Sequence, residues 1–463
     1  MRWTRPNIWT AVFLSTVTQG LRHSKLPRQA STIVVDTSTV HQTIDGFGFS
    51  EAFGHAAEIQ ALDEDLQQQV LDMLFDPSKG AGFTILRNRI GSTAGTSIEP
   101  TGPGSPDAEP TYTWDGDDSG QVWLSQQAIK YNGNSKIYAD AWSAPGYMKT
   151  NNDEANGGYL CGVTDQTCQT EDWKQAYADY LVKYVQLYAQ EGVDITHLGF
   201  LNEPSYTPDY SSMNSDGQQA ADFLAVLRST VKDAGLSTSL TCCDDFGWDD
   251  QADLLSGIQA TNGEEFVDII TVHTYASQPT YKMNTSKPVW MTEACVTDPW
   301  SITWYESGAE SEGYTWANRI FTAIVDYDVS AYLYWIGAEA ADVNSFLVNW
   351  RNDVIETSGR FWAFAQWSRY VQVGATRVNV TGSPDGVKTG AFRNPDDTFT
   401  MNFLNTNDDS VTVSVDLSGV AASGVKGYVT DNNNSLGGLN ATFSGGIVGA
   451  SLPGRSMVAL VLS

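Results

Sequence analysis

The chain has 463 residues, with Lys+Arg 26 against Asp+Glu 55 and a formal net charge of −29. Hydrophobic residues make up 41% and charged residues 17%, too apolar for a disordered chain. Such an acidic surface repels phosphate backbones and anionic bilayers, which argues against nucleic acid or a membrane as partner.

Residues 1–30 are unlike the rest. Arg2 and Arg5 precede the apolar run Ile8–Leu14, and a small-residue stretch follows to Gly20. That layout is a secretory signal peptide with a short propeptide, and the apolar run is too short to span a bilayer. The segment carries only basic charge (Arg2, Arg5, Arg22, Lys25, Arg28), so its removal moves the formal net charge from −29 to −34. Secretion permits disulfides. Cys161 and Cys168 flank a short polar loop and suit a local bridge, while Cys242, Cys243 and Cys295 leave one further bond and one free thiol, unassigned. The sequons at Asn284, Asn379, Asn433 and Asn440 fit a secreted glycoprotein.

From residue 42 to 355 short apolar runs alternate with helical patterns. The runs end at Gly48, Arg89, Trp142, Asn202, Cys243, Tyr275, Glu293 and Trp335. Between them, Trp173, Tyr177, Leu181, Tyr184 and Tyr188 recur at helical spacing over 172–190, and Phe223, Val226, Leu227 and Val231 do so over 218–232. Strands each followed by a helix predict an α/β fold, a (β/α)8 TIM barrel. No Gly-rich phosphate loop opens a helix, which sets an open doubly wound sheet second. Beyond about 370 the pattern turns to short alternating runs such as 376–380, 398–404 and 411–415, separated by Gly, Asn and Asp clusters. The expected division is therefore a catalytic barrel over 42–355 and an attached antiparallel β-sandwich formed by 31–41 plus 356–463. The two domains are expected to pack together rather than hang on a linker.

Chemistry in such a barrel sits at the C-terminal ends of the strands. The fourth predicted strand reads His197-Leu198-Gly199-Phe200-Leu201-Asn202-Glu203-Pro204, and the seventh reads Pro288-Val289-Trp290-Met291-Thr292-Glu293. Strands four and seven face one another across the mouth, so two carboxylates there suit retaining glycoside hydrolysis. One protonates the leaving oxygen and the other attacks the anomeric carbon, at a separation of about 5–5.5 Å. Asn202, beside one acid, is an amide able to hydrogen-bond a sugar 2-hydroxyl. No CxxC or His/Cys cluster has metal spacing, so neither a metal nor an organic cofactor is expected.

These segments resemble glycoside hydrolase family 30. The likeness rests on Ile44–Gly48, Leu86–Gly91, Ala141–Lys149, Phe200–Pro204, His273–Tyr275, Trp290–Glu293 and Tyr334-Trp335, and in detail it is most similar to the fungal xylanase subfamily, the seventh. The resemblance implies Glu203 as general acid/base and Glu293 as nucleophile. It implies Arg87 beneath the carboxylates, keeping Glu293 ionised while Glu203 stays protonated. Tyr275 is expected to orient Glu293, Trp142 and Trp335 to wall the sugar site, and Tyr206 to meet the leaving-group side. His273 reads as a structural histidine and Glu51 as a helix-start carboxylate.

One departure stands out. Members specific for glucuronic-acid-branched xylan carry an arginine after the first strand, where this chain has His55. A mostly neutral imidazole lacks the fork that grips a carboxylate, so relaxed dependence on acidic branches is expected. The long loop 98–120 is expected to close one end of the cleft. The resulting expectation is a secreted, monomeric, retaining β-1,4-xylanase acting on xylan. Its rivals are a β-1,6-glucanase or glucosylceramidase-like enzyme of the same family, and a catalytically silent carbohydrate-binding protein.

Overall fold

The computed structural model describes residues 32–463. The expected signal peptide and propeptide lie outside the described residues. Eight parallel strands close into a barrel: Gly46–Ser50, Ile85–Ile90, Lys136–Ala141, His197–Leu198, Ser239–Asp245, Ile269–His273, Val289–Glu293 and Ala331–Glu339, the last pairing with both the first and the seventh. Ile85, Tyr138, Ile269, Trp290, Ala331 and Leu333 fill the barrel interior.

The outer helices form where the apolar period predicts them. Lys174–Gln190 buries Tyr177, Leu181, Tyr184 and Tyr188 along one stripe. Gly217–Asp233 begins on a reciprocal cap in which Asp216 accepts from the Gln219 N–H and Gln219 returns a bond, worth about 1 kcal/mol. One expected helix is absent: strands six and seven are joined by segment 274–288 without a helix, and that stretch holds Pro279 and Pro288. Proline removes a backbone donor and clashes with the preceding turn, so no helix propagates there.

The second domain is a β-sheet sandwich around Ile33, Val378, Phe399, Met401, Phe403, Val415 and Leu460. The first described strand, Thr32–Thr43, sits in its middle, antiparallel to Thr376–Thr381 and parallel to Val411–Asp416. That parallel pair is the one departure from the antiparallel sheet expected. Past the expected boundary at 355/356 the chain forms one more helix before the sandwich strands. Gly359–Ser368 is the helix that follows the eighth strand, and it is buried between the two domains. Its Gln366 donates to Met457 O (3.1 Å) and Trp367 packs on Phe392 (5.6 Å between ring centroids). Cys161 pairs with Cys168 as expected, the adjacent Cys242 and Cys243 are bonded to each other, and Cys295 is free. Among the described residues no helix is long and apolar enough to cross a membrane.

Candidate active site

Glu293 is the last residue of the seventh strand and is buried. Glu203 reaches the mouth differently. The fourth strand is only His197–Leu198, and the chain beyond it runs irregularly, held by Gly199 N–H to Ala139 O (2.8 Å) and Glu203 N–H to Asp244 O (2.9 Å). Gly199 is required there, since a Cβ would stand 2.2 Å from Asp140 Oδ1. Glu203 itself has φ 50, a left-handed backbone costing of order 1–3 kcal/mol in a non-glycine residue. Five residues past the ladder, the strained backbone turns its carboxylate back over the barrel. One carboxylate oxygen each of Glu203 and Glu293, with a ring nitrogen of His273, lie within 4.8 Å of one another.

Beneath the pair lies one buried cation in a nest of acids. Arg87 donates from Nη1 to Glu293 Oε2 and from Nη2 to Asp140 Oδ2 (2.8 Å) and Asn202 Oδ1 (2.6 Å), and its Nη2 is 3.5 Å from Asp244 Oδ1. Asn202 spends its oxygen on Arg87, so among the described residues its Nδ2 protons remain uncommitted. Tyr275 donates to Glu293 Oε1 at 2.8 Å. Both oxygens of Glu293 thus accept from fixed donors, an arrangement suited to the ionised carboxylate. Burial pushes the Glu293 pKa up, and the charges of His273 and Arg87 pull against it.

His273, Asp140 and Asp244 are the members that sequence reasoning missed or undervalued. His273 is fully buried, its Nδ1 2.9 Å from Glu203 Oε1 and its Nε2 3.4 Å from Asp244 Oδ1 and 3.7 Å from Glu293 Oε2. Burial opposes its charge, but Glu293, Asp244 and Glu203 together raise its pKa to about 10. It is therefore an imidazolium, more than the structural histidine expected. Burial pushes Asp244 up, yet Arg87 and His273 bring it down to about 2, while Tyr138, Thr271 and Thr292 donate to it. Asp140 is pushed well above the carboxylate range by burial and by Asp244 beside it.

Three rings roof the site. Trp142 and Trp335 lie 5.9 Å apart, and Arg87 sits 4.4 Å beneath Trp142. Phe53, unassigned from sequence, meets both edge-on at 5.6 and 6.0 Å and is 48% exposed. Beyond Glu203, exposed Tyr206 stacks on Phe246 at 4.7 Å and 12°. His55 opens a short helix, its Nδ1 3.4 Å from Glu58 Oε2; it makes no hydrogen bond or ion pair with the carboxylate pair. Glu51 is no solvent-facing helix-start acid: it is buried, accepts from Ala338 N–H (2.7 Å), and burial holds its pKa well above the usual range. The Glu203–His273–Glu293 cluster has dimensions that could hold a metal ion. However, Arg87, Tyr275 and His273 already engage three of its four carboxylate oxygens, and an ion would have to compete with them.

Two acids set face to face under apolar rings, with a cation and donors already in place for developing charge, suit the cleavage of bonds between sugars. Fold and site together define the class as the glycoside hydrolases. A family model described as glycosyl hydrolase family 59 matches residues 44–380, and one described as glycosyl hydrolase family 30 beta sandwich domain matches residues 374–460. The catalytic domain of family 30 xylanase C from Talaromyces cellulolyticus superposes with a TM-score of 0.90 at 49% identity, over 93% of this chain and 100% of that one. The chain belongs to glycoside hydrolase family 30. It is also 27% identical to an endo-1,6-beta-D-glucanase of Aspergillus fumigatus, over 87% of this chain and 88% of that protein. With the glucuronoxylanase XynC of Bacillus subtilis it shares 22% identity, over 94% and 92% of the two chains.

Proposed function

We infer that this protein is a secreted retaining β-1,4-xylanase that hydrolyses xylan by double displacement. The observation that carries the mechanism is the approach of the Glu203 and Glu293 carboxylate oxygens to within 4.8 Å. That spacing suits a retaining pair rather than an inverting pair, whose acids stand ~6.5–9.5 Å apart. Glu293, ionised by Arg87 and Tyr275, attacks the anomeric carbon. Glu203 accepts from His273 on Oε1 and carries its proton on the other oxygen, giving it to the leaving oxygen and then activating water for the second displacement. Asn202 Nδ2 donates to the 2-hydroxyl of the sugar, and Trp142 and Trp335 pack on its C–H face. Tyr206 on Phe246 supplies a platform for the leaving group.

Xylan as the substrate is supported by the 49% identity to xylanase C across the whole of that domain. His55, engaged with Glu58, supports tolerance of unbranched chains. A second reading, β-1,6-glucan, is favoured by the names of relatives such as the Aspergillus fumigatus protein. Secretion is supported by the layout of residues 1–30, and exposed Asn284, Asn433 and Asn440 are suited to carry glycans. Incubation with linear xylo-oligosaccharides, glucuronoxylan and β-1,6-glucan, with chromatography of products over time, tests the substrate. Release of xylo-oligosaccharides is expected, and cleavage of glucan alone would overturn xylan while leaving the mechanism intact. Proton NMR of the first anomer tests retention.

A further inference from the structure

Glu51 is a buried acid that the double displacement does not use. It is 1% exposed and, among the described residues, makes no ion pair and no hydrogen bond with Glu203 or Glu293. Its Oε1 accepts from Ala338 N–H at 2.7 Å, with a further backbone bond from Gly337, while Oε2 is buried without a partner. Enclosing a carboxyl with half its bonding capacity unmet is unfavourable, and an apolar side chain of similar volume avoids that penalty. What the acid supplies is a fixed acceptor for the backbone of strand eight.

That backbone is irregular where Glu51 meets it. Strands one and eight pair in step from Gly46 with Ala331 to Phe49 with Tyr334, but the next pair is Ser50 with Ile336. Trp335 is the extra residue, a β-bulge in strand eight, and its N–H is donated to Ala294 O just past strand seven (3.0 Å). A bulge bends its strand and re-aims one side chain. Here that side chain is the indole beside Trp142 over the carboxylate pair. The ladder ends at Ser50, and the side chain of the next residue then grips strand eight at Gly337 and Ala338. Gly337 is required for this approach, since a Cβ there would stand 2.7 Å from Glu51 Oε1 and 2.4 Å from the Phe49 ring.

The same residue bears on the facing ring. Phe53, two positions on, has φ 60, a left-handed backbone that bulky side chains rarely adopt, and meets Trp335 edge-on at 6.0 Å. Glu51 O accepts from Ala56 N–H (3.2 Å), which closes the turn carrying Phe53 onto the helix His55–Gln60. Glu51 thus joins that turn to the bulged strand through a contact spanning 287 positions of sequence. Resting on the reading of Trp335 as a wall of the sugar site, we propose that Glu51 is a positioning residue. Its carboxyl fixes the bulge in strand eight and so the angle at which Trp335 meets the sugar, acting through that ring rather than on the substrate.

The test is steady-state kinetics on xylohexaose with Glu51→Gln, Glu51→Asp and Glu51→Ala, each alone and combined with Trp335→Ala. Gln keeps an acceptor oxygen in place, Asp withdraws it by one methylene, and Ala deletes it. Asp and Ala are expected to raise KM tenfold or more with kcat within threefold, as when binding common to ground and transition state is lost. Gln is expected to restore KM to within twofold of wild type. Because Glu51 acts through Trp335, adding Glu51→Ala to Trp335→Ala should change KM less than twofold. Effects that multiply in the double variant, or a Gln variant as impaired as Ala, overturn the proposal. Should only Ala fail to fold, Asp takes its place in the double variant. Loss of folding in Asp and Ala together also overturns it, since the carboxyl then holds the barrel and not the ring. An unchanged KM in Trp335→Ala alone removes the wall and the proposal with it, whereas a raised KM there and none in the Glu51 variants overturns only the positioning role. If the enzyme cleaves β-1,6-gluco-oligosaccharides and not xylo-oligosaccharides, the xylan reading has failed, and the same variants on those glucans decide Glu51 separately.

Discussion

His273 Nδ1 lies 2.9 Å from Glu203 Oε1, and its other ring nitrogen stands 3.7 Å from Glu293 Oε2. A single buried imidazolium therefore faces both carboxylates of the mouth. Its charge is held by Glu293, Asp244 and Glu203 against burial, with the pKa raised to about 10.

Replacing His273 with Gln removes that charge. Glu293 then binds a proton more tightly, so the acid limb of the kcat/KM profile moves to higher pH. Stability carries a separate signature. A histidine whose folded pKa is raised contributes fully below its ordinary value near 6.5, and that contribution is lost as pH rises through 10. Wild type should exceed the variant most below pH 6.5 in thermal melts, and the gap should close by pH 10.

Glu203→Gln is expected to lower kcat by about 10²–10⁴-fold on xylan. The loss should be far smaller on an aryl xyloside whose leaving group departs without a proton. Glu293→Gln should abolish turnover on both while leaving sugar binding measurable by calorimetry. Equal losses for good and poor leaving groups in Glu203→Gln would assign that residue some other role.

Arg87→Met removes the cation shared by Asp140, Asp244 and Glu293, leaving His273 beside only the last two. Breaking a buried ion network from one side costs about 3–5 kcal/mol. The penalty is expected in full at pH 7 and reduced near pH 4, where the stranded acids take up protons. Denaturant unfolding at the two pH values reads the difference.

Asp118 accepts from Tyr184, Tyr188 and Gln121, yet burial pushes its pKa up to about 6. A raised carboxylate favours the folded state below its ordinary pKa, and that benefit is lost as pH rises to 6. Asn keeps an acceptor oxygen and tolerates the φ of 51 at this position. Asp118→Asn should therefore melt like wild type at pH 4 and higher than wild type above pH 6.

Much of this was legible in the sequence, for physical reasons. The strands and outer helices were readable because a buried strand is an unbroken apolar run and an outer helix buries one stripe. Glu293 stood out as a charge ending such a run. Glu203 was found through Asn202-Glu203-Pro204, although the strand that was to carry it is only His197–Leu198. Helix Gly359–Ser368 was missed as part of the barrel because Phe361, Phe364 and Trp367 are all buried, with the barrel on one side and the sandwich on the other. No polar stripe remains to mark it. The acids Asp140 and Asp244 were overlooked because their partners come from strands far apart in the chain. The available signal was a carboxylate inside an apolar strand, as in Ala139-Asp140-Ala141, where only a buried cation makes it tolerable.

Strand Thr32–Thr43 lies in the middle of the sandwich, between two strands made only after the whole barrel. On the ribosome it emerges before both neighbours and waits for them, its backbone donors and acceptors open on either edge. A chain released early, with its barrel intact, would keep those edges exposed and invite strand addition from other unfinished copies. The finished molecule conceals them. Completion of synthesis is thereby written into the solubility of the product, and barrel-only gene fragments will be the ones that aggregate.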